Sequence, residues 1–143
     1  MNDLTVNVSK VVDAPNAKVF DAWLNPESVT KWMCPGETVV VPDPKIDAQV
    51  GGKFDFTMKV GDQVLPHGGE YKIIDRPQKL QFTWVSAGTN NFDSVVTISF
   101  ESMGDKETKV ILHHAFLPTE ESKMDHTGGW TRIVDCLAKE LAR

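Results

Sequence analysis

From residue 37 to 116 the chain reads almost entirely as strand, and one long amphipathic stretch follows. In "KFDFTMKV", Phe54, Phe56, Met58 and Val60 fall on one side, with Lys53, Asp55, Thr57 and Lys59 on the other. A period of two is the mark of a strand with one buried face. The pattern recurs in "LQFTW" (Leu80, Phe82, Trp84) and in "FDSVVTISF" (Phe92, Val96, Ile98, Phe100). In "TKVILHHAF" it sets Val110, Leu112 and His114 against Ile111 and His113. "VLPHGGEYKIID" reads as one further strand and "KIDAQV" as a short one. "GDQ", "RPQK", "SAGTNN" and "GDKE" supply the turns. Gly51-Gly52 marks a turn or bulge, and no GK[ST] or helix signal follows to make it a phosphate loop.

Helical signals flank this block. Residues 4–12 alternate as a first strand. Pro15 then fits the first turn of a helix carrying Val19, Phe20, Trp23 and Leu24 on one face. Asn25-Pro26 reads as a cap with proline at the first helical position, opening a second short helix through Val29, Trp32 and Met33. "CPGE" ends it as a turn. In the tail, Thr119 is a candidate N-cap, followed by Glu120 and Glu121 where the helix dipole favours acids. His126, Trp130, Ile133, Val134, Leu137 and Leu141 form one stripe, and Asp135 can pair with Lys139 one turn on.

"DHTGGW" interrupts that tail with Gly128-Gly129, and each glycine in a helix interior costs about 1 kcal/mol relative to alanine. Three readings stand. The helix begins only near Asp125, or the bare backbone lets helix and sheet approach closely, or the pair is a soft point at a pocket mouth.

Strands bracketed by helices predict an α+β fold with an antiparallel sheet, one domain over residues 1–143. A sheet with one apolar face needs a cover, and the tail is the one long amphipathic element available. The net charge of -5 argues against a nucleic-acid partner, which wants a basic face, and against an anionic membrane surface. No apolar run approaches the roughly 20 residues of a membrane span, and "MNDLTVNVSK" is no signal peptide, so a cytoplasmic location is expected. Cys34 and Cys136 show no CxxC spacing and read as two reduced thiols. Cys34 lies beside a turn without an evident base, and Cys136, at the edge of the helical stripe, reads as packing. No G-x-S-x-G is present.

"VDAPNAKVFDAWLNPESVTKWM", "GGKFDFTM", "GGEYKIIDRPQKLQFTW", "TKVILHH" and "HTGGW" occur in an order and spacing that resemble small proteins similar to the Hsp90 ATPase activator. These belong to the START-like, or Bet v 1-like, helix-grip (SRPBCC) superfamily. The resemblance runs from about residue 4 to 141. It implies a curved seven-stranded antiparallel sheet wrapped on a long C-terminal helix, two short helices after the first strand, and an interior pocket. The chain departs from the family pattern at Ile73, where an acid often stands, and at Arg76-Pro77, where two prolines are common.

The residues expected to line that pocket are Trp32, Phe54, Phe56, Met58, His67, Tyr71, Phe82, Trp84, Val96, Ile98, His114, His126, Trp130 and Val134. Large rings offer area plus a polar handle, although aromatics at period two also serve simply as core. His67 shares strand parity with Tyr71, and Glu70 points the other way. A His114–His126 pair could hold a polar head or move a proton, and each histidine could equally be a satisfied core residue. Zinc needs three or four converging ligands, and His113 faces away from His114, so no metal or cofactor is expected.

Three functions follow from fold and resemblance together, since fold alone does not fix function. The first is binding of a small, mainly hydrophobic or aromatic molecule. The second is an enzyme of the cyclase or hydrolase type in the same cavity, with His114, Glu70 or Tyr71 as acid–base candidates. The third is a co-chaperone-like domain acting on an Hsp90-type ATPase. This last is disfavoured because the chain lacks the additional N-terminal domain of the eukaryotic activators. Homodimer formation is a general expectation for small domains of this kind, with no residue pattern that specifies it.

Overall fold

The structure, a computed structural model, describes residues 4–142. Its first strand β1 (Val6–Val12) leads into two short helices, α1 (Asn16–Ala22) and α2 (Pro26–Trp32). Eight strands follow: β2 (Lys45–Ile46), β3 (Lys53–Asp55), β4 (Met58–Val60), β5 (Gln63–Leu65), β6 (His67–Asp75), β7 (Lys79–Ser86), β8 (Ser94–Ser102) and β9 (Thr108–Ala115). The long helix α3 (Glu120–Leu141) closes the chain. Seven strands form one antiparallel sheet in the order β1-β9-β8-β7-β6-β3-β2, and β4 and β5 form a separate hairpin. This is the α+β helix-grip architecture that the patterning and the resemblance predict. Among the described residues, no helix is long and apolar enough to cross a membrane.

The alternation sorts the faces as expected. Leu80, Phe82 and Trp84 of β7 are buried, as are Val96, Ile98 and Phe100 of β8 and Val110, Leu112 and His114 of β9. The register stacks them: Phe82 stands opposite Val96, Val96 opposite His114, and Ile98 opposite Leu112. Helix α3 lays Trp130, Ile133, Val134 and Leu137 on this face. The capping signals hold as well. Asn25 accepts from the N–H groups of Glu27 and Ser28, and Thr119 accepts from Ser122 N.

Some expectations fail, each for a local reason. "KFDFTMKV" is not one strand. Asp55 Oδ1 accepts from Thr57 N at 2.9 Å and from Thr57 Oγ1 at 2.6 Å, and this side-chain turn parts β3 from β4. Pro66, which has no N–H to give, likewise separates β5 from β6. Phe92 is 72% exposed rather than inward-facing: Asn90 and Asn91, both left-handed, turn the chain after a short 3-10 segment (Ala87–Thr89), so β8 begins only at Ser94. Asp135 pairs across to Lys10 at 3.0 Å, not with Lys139.

Helix α3 also runs unbroken through Gly128 and Gly129, which rules out a start near Asp125. The two glycines differ. A Cβ on Gly128 would meet nothing within 4 Å, while one on Gly129 would lie 3.2 Å from Pro35 Cβ. Room is therefore made for the loop after α2, not for the sheet.

Candidate functional site

The space between sheet and helix is mostly filled. Phe54 packs on Phe56, Tyr71, Phe82 and Trp84 with ring centroids 4.7–6.0 Å apart, and Trp23 packs edge-on against Trp32 at 4.6 Å. One end stays open. A cavity of about 330 Å3 lies among Met58 of β4, Leu65 of β5, His67 of β6, Trp84 and Ser86 of β7, Gly88, Pro35, and Asp125, His126, Gly129, Trp130 and Ile133 of α3. That volume is at the small end of the range for small-molecule sites, about 300–1,000 Å3.

Five of the expected lining residues meet here: Met58, His67, Trp84, His126 and Trp130. Trp32, Phe54, Phe56, Tyr71, Phe82, Val96, Ile98 and Val134 face inward but are packed in the core, each at most 5% exposed. Glu70 lies on the other face, as its parity demands, paired with Lys72 at 3.1 Å. Pro35, Leu65, Ser86, Gly88, Asp125, Gly129 and Ile133 line it outside the expected set. At Gly88 the bare backbone makes room for His126, whose Cε1 would be 3.2 Å from an added Cβ; nothing in the sequence signals this contact.

His114 is sealed behind the cavity wall. Ser94 Oγ lies 2.6 Å from the carbonyl oxygen of Trp84 and 2.7 Å from His114 Nε2. A carbonyl can only accept, so the Ser94 hydroxyl donates to Trp84 O and accepts from His114 Nε2–H. Trp130 Nε1–H in turn donates to His114 Nδ1 at 2.9 Å. Both ring nitrogens are committed and the tautomer is fixed. A proton on Nδ1 would face the indole N–H, and burial, aided by the nearby His126 and His113, pushes the pKa of His114 down to about 3. His114 is therefore a satisfied core residue that holds Trp130, and it is unavailable as an acid.

His126 and His67 differ from it. His126 Nδ1 lies 2.7 Å from Ser122 O, and His67 Nδ1 lies 2.9 Å from Leu65 O. Each Nδ1 must carry the proton, which leaves Nε2 as a lone-pair acceptor, without a partner among the described residues. Burial lowers the pKa of both; in each a backbone hydrogen bond opposes this, and His126 lowers His67 further. Both are thus neutral at pH 7. His126 packs edge-on against His114 at 4.9 Å, and His67 lies tilted against Trp84 at 5.3 Å. Trp84 and Trp130 present two rings with centroids 5.0 Å apart. The indole N–H of Trp84 is buried and has no partner among the described residues. The site combines two neutral acceptors with apolar walls. Among the described residues, no group of three or more His, Cys, Asp or Glu is arranged to hold a metal ion.

No curated protein matches the chain in sequence. Solved structures do match in fold. A protein from Chromobacterium violaceum superposes with a TM-score of 0.82 at 23% identity, covering 97% of this chain and 98% of that one. The AHSA1 protein from Silicibacter pomeroyi also gives 0.82, at 25% identity and with 96% and 97% covered. An HSP90 activator from Plasmodium falciparum gives 0.76 at 22% identity, with 96% and 95% covered. The family model described as "Activator of Hsp90 ATPase homolog 1-like protein" matches residues 13–142, and the chain belongs to that family.

Proposed function

We propose that the protein binds a small, flat, largely apolar molecule that carries a hydrogen-bond donor such as a hydroxyl. The observation behind this is the open end of the interior. A cavity of about 330 Å3 remains beside Trp84 and Trp130, lined by two histidines whose Nδ1–H groups are tied to backbone carbonyls. Neutral imidazoles held this way accept and do not donate, so a donor on the ligand completes them. The volume suits one or two fused rings.

A matched pair of probes tests this: 2-naphthol against 2-methoxynaphthalene, followed by quenching of tryptophan fluorescence. The expected result is saturable quenching with about tenfold tighter binding of the naphthol, as one hydrogen bond of about 1.4 kcal/mol predicts. Equal affinities would remove the head-group argument, and no saturation with either would remove the binding reading. Native mass spectrometry of protein purified from its own cells would identify a retained ligand directly.

Acid–base catalysis on such a ligand is the second reading. It is favoured by the free Nε2 lone pairs of His67 and His126, which are competent proton acceptors at neutral pH. It does not involve His114, Glu70 or Tyr71, none of which lines the cavity. Action on an Hsp90-type ATPase rests on family likeness alone.

A further inference from the structure

Cys34 and Cys136 stand 102 positions apart in the chain, yet their sulfurs lie 3.1 Å from each other. That is inside the contact distance of two sulfurs and about 1 Å longer than a disulfide bond. The pair forms because Cys34 stands two residues past the end of α2, where its N–H donates to Trp32 O, and this loop passes over α3 at Gly129, two turns before Cys136. Both residues are half-buried, so a small solute can reach them. Arg132, one turn before Cys136, lies beside Cys34.

We propose that Cys34 and Cys136 are a reversible modification site, forming a disulfide with a hydroperoxide as oxidant and so strapping the loop after α2 to helix α3. One thiolate attacks the peroxide O–O bond, giving a sulfenic acid and releasing water or an alcohol. The second sulfur displaces hydroxide from the sulfenic sulfur, which forms the S–S bond and releases water. Two thiols lose two electrons and two protons, and one hydroperoxide gains them. The strap closes beside the cavity, because Pro35 lines it and packs over Gly129. An effect on ligand exchange therefore rests on the binding function proposed above, but the disulfide itself does not.

Attack by the Cys34 sulfur should be slow at neutral pH. Burial and the adjacent Cys136 sulfur push the Cys34 thiol up to about 11, with Arg132 pulling weakly the other way. Thiolate is the attacking form, so the oxidation rate should climb steeply between pH 7 and 10.

Peptide mapping by mass spectrometry after hydrogen peroxide treatment and thiol alkylation tests the site without any ligand. The expected result is an intramolecular cross-link between the peptides holding Cys34 and Cys136, reversed by dithiothreitol. The melting temperature should rise by about 5 °C or more on oxidation, as closing a loop of this length predicts, and return on reduction. In Cys136→Ser the cross-link and the temperature shift should vanish, with Cys34 instead trapped as a sulfenic acid by dimedone. Two thiols still alkylated after peroxide, or separate oxidation of each to a sulfonic acid, would overturn the proposal. So would disulfides found only between molecules.

Discussion

Two parts of the space between sheet and helix are built from the same residue types but do different things. In one part Trp23 packs on Trp32, and Phe54 on Tyr71 and Phe82, ring against ring, and none of the five lines the cavity. In the other, Trp84 and Trp130 stop short of closure, and His67 and His126 keep one nitrogen free. His114 and His126 make the contrast sharpest. Their rings touch, yet one has both nitrogens spent inside the core and the other has one left for the cavity. Facing inward and lining a site are separate properties. The first follows from backbone direction, and the second depends on what the neighbours leave empty.

Breaking the seal should do most damage. Trp130→Ala removes a fully buried ring and strips His114 Nδ1 of its donor, so it should cost about 3–5 kcal/mol in urea unfolding. A loss below about 1 kcal/mol would mean that the ring is not seated there. Next comes His114→Ala, which leaves the Trp130 N–H unpaired in the core and takes from Ser94 the N–H it accepts, and should cost about 2 kcal/mol or more. His126→Ala should cost under about 1 kcal/mol yet weaken 2-naphthol binding about tenfold. If His126→Ala instead proved the more destabilising of the two, the contrast between sealed and open histidine would fall.

Acid should expose the same contrast. All three histidines are held neutral, with folded pKa values below the unfolded value of about 6.5. Below pH 6.5 the unfolded chain takes up protons that the folded chain refuses. The stabilisation is thus complete above that pH and is lost as pH falls towards 3. Each such histidine should add a slope of up to about 1.4 kcal/mol per pH unit. His114→Phe should remove the part that persists to the lowest pH, because His114 is the most depressed of the three. An unchanged slope between pH 6.5 and 5 in that variant would show that His114 is not held neutral.

The smallest effect concerns the adjacent glycines. Gly128→Ala should stabilise by about 1 kcal/mol, since the added methyl meets open space and the helix gains propensity. Gly129→Ala should gain less or lose, since Pro35 has to give way. Equal gains, measured by thermal unfolding, would mean that the loop over Gly129 yields freely.

Much of the fold was legible before any coordinate. Asn25 and Thr119 announce helix starts through side chains that reach their own backbone, and Phe82, Trp84 and Val96 declare their face by parity. Expectations failed where a short polar contact beat the apolar pattern, as at Asp55–Thr57, or where left-handed Asn90 and Asn91 turned Phe92 outward. In the site, parity placed His114 and His126 inward but was silent on which one keeps a free nitrogen. That choice turns on Ser94, Trp130 and Ser122, of which Ser94 is 20 residues away from His114.

By itself, then, the sequence determined direction: the faces of the strands, the stripe and cap of α3, and the order of elements that marks the family. These are local, because successive residues share one backbone geometry. Tertiary structure alone decided which inward rings close on one another, where about 330 Å3 is left open, and how the hydrogen bonds fix each imidazole. It also brought two sulfurs from distant positions to 3.1 Å. Such outcomes depend on volumes and partners contributed from across the chain, and no periodicity records those.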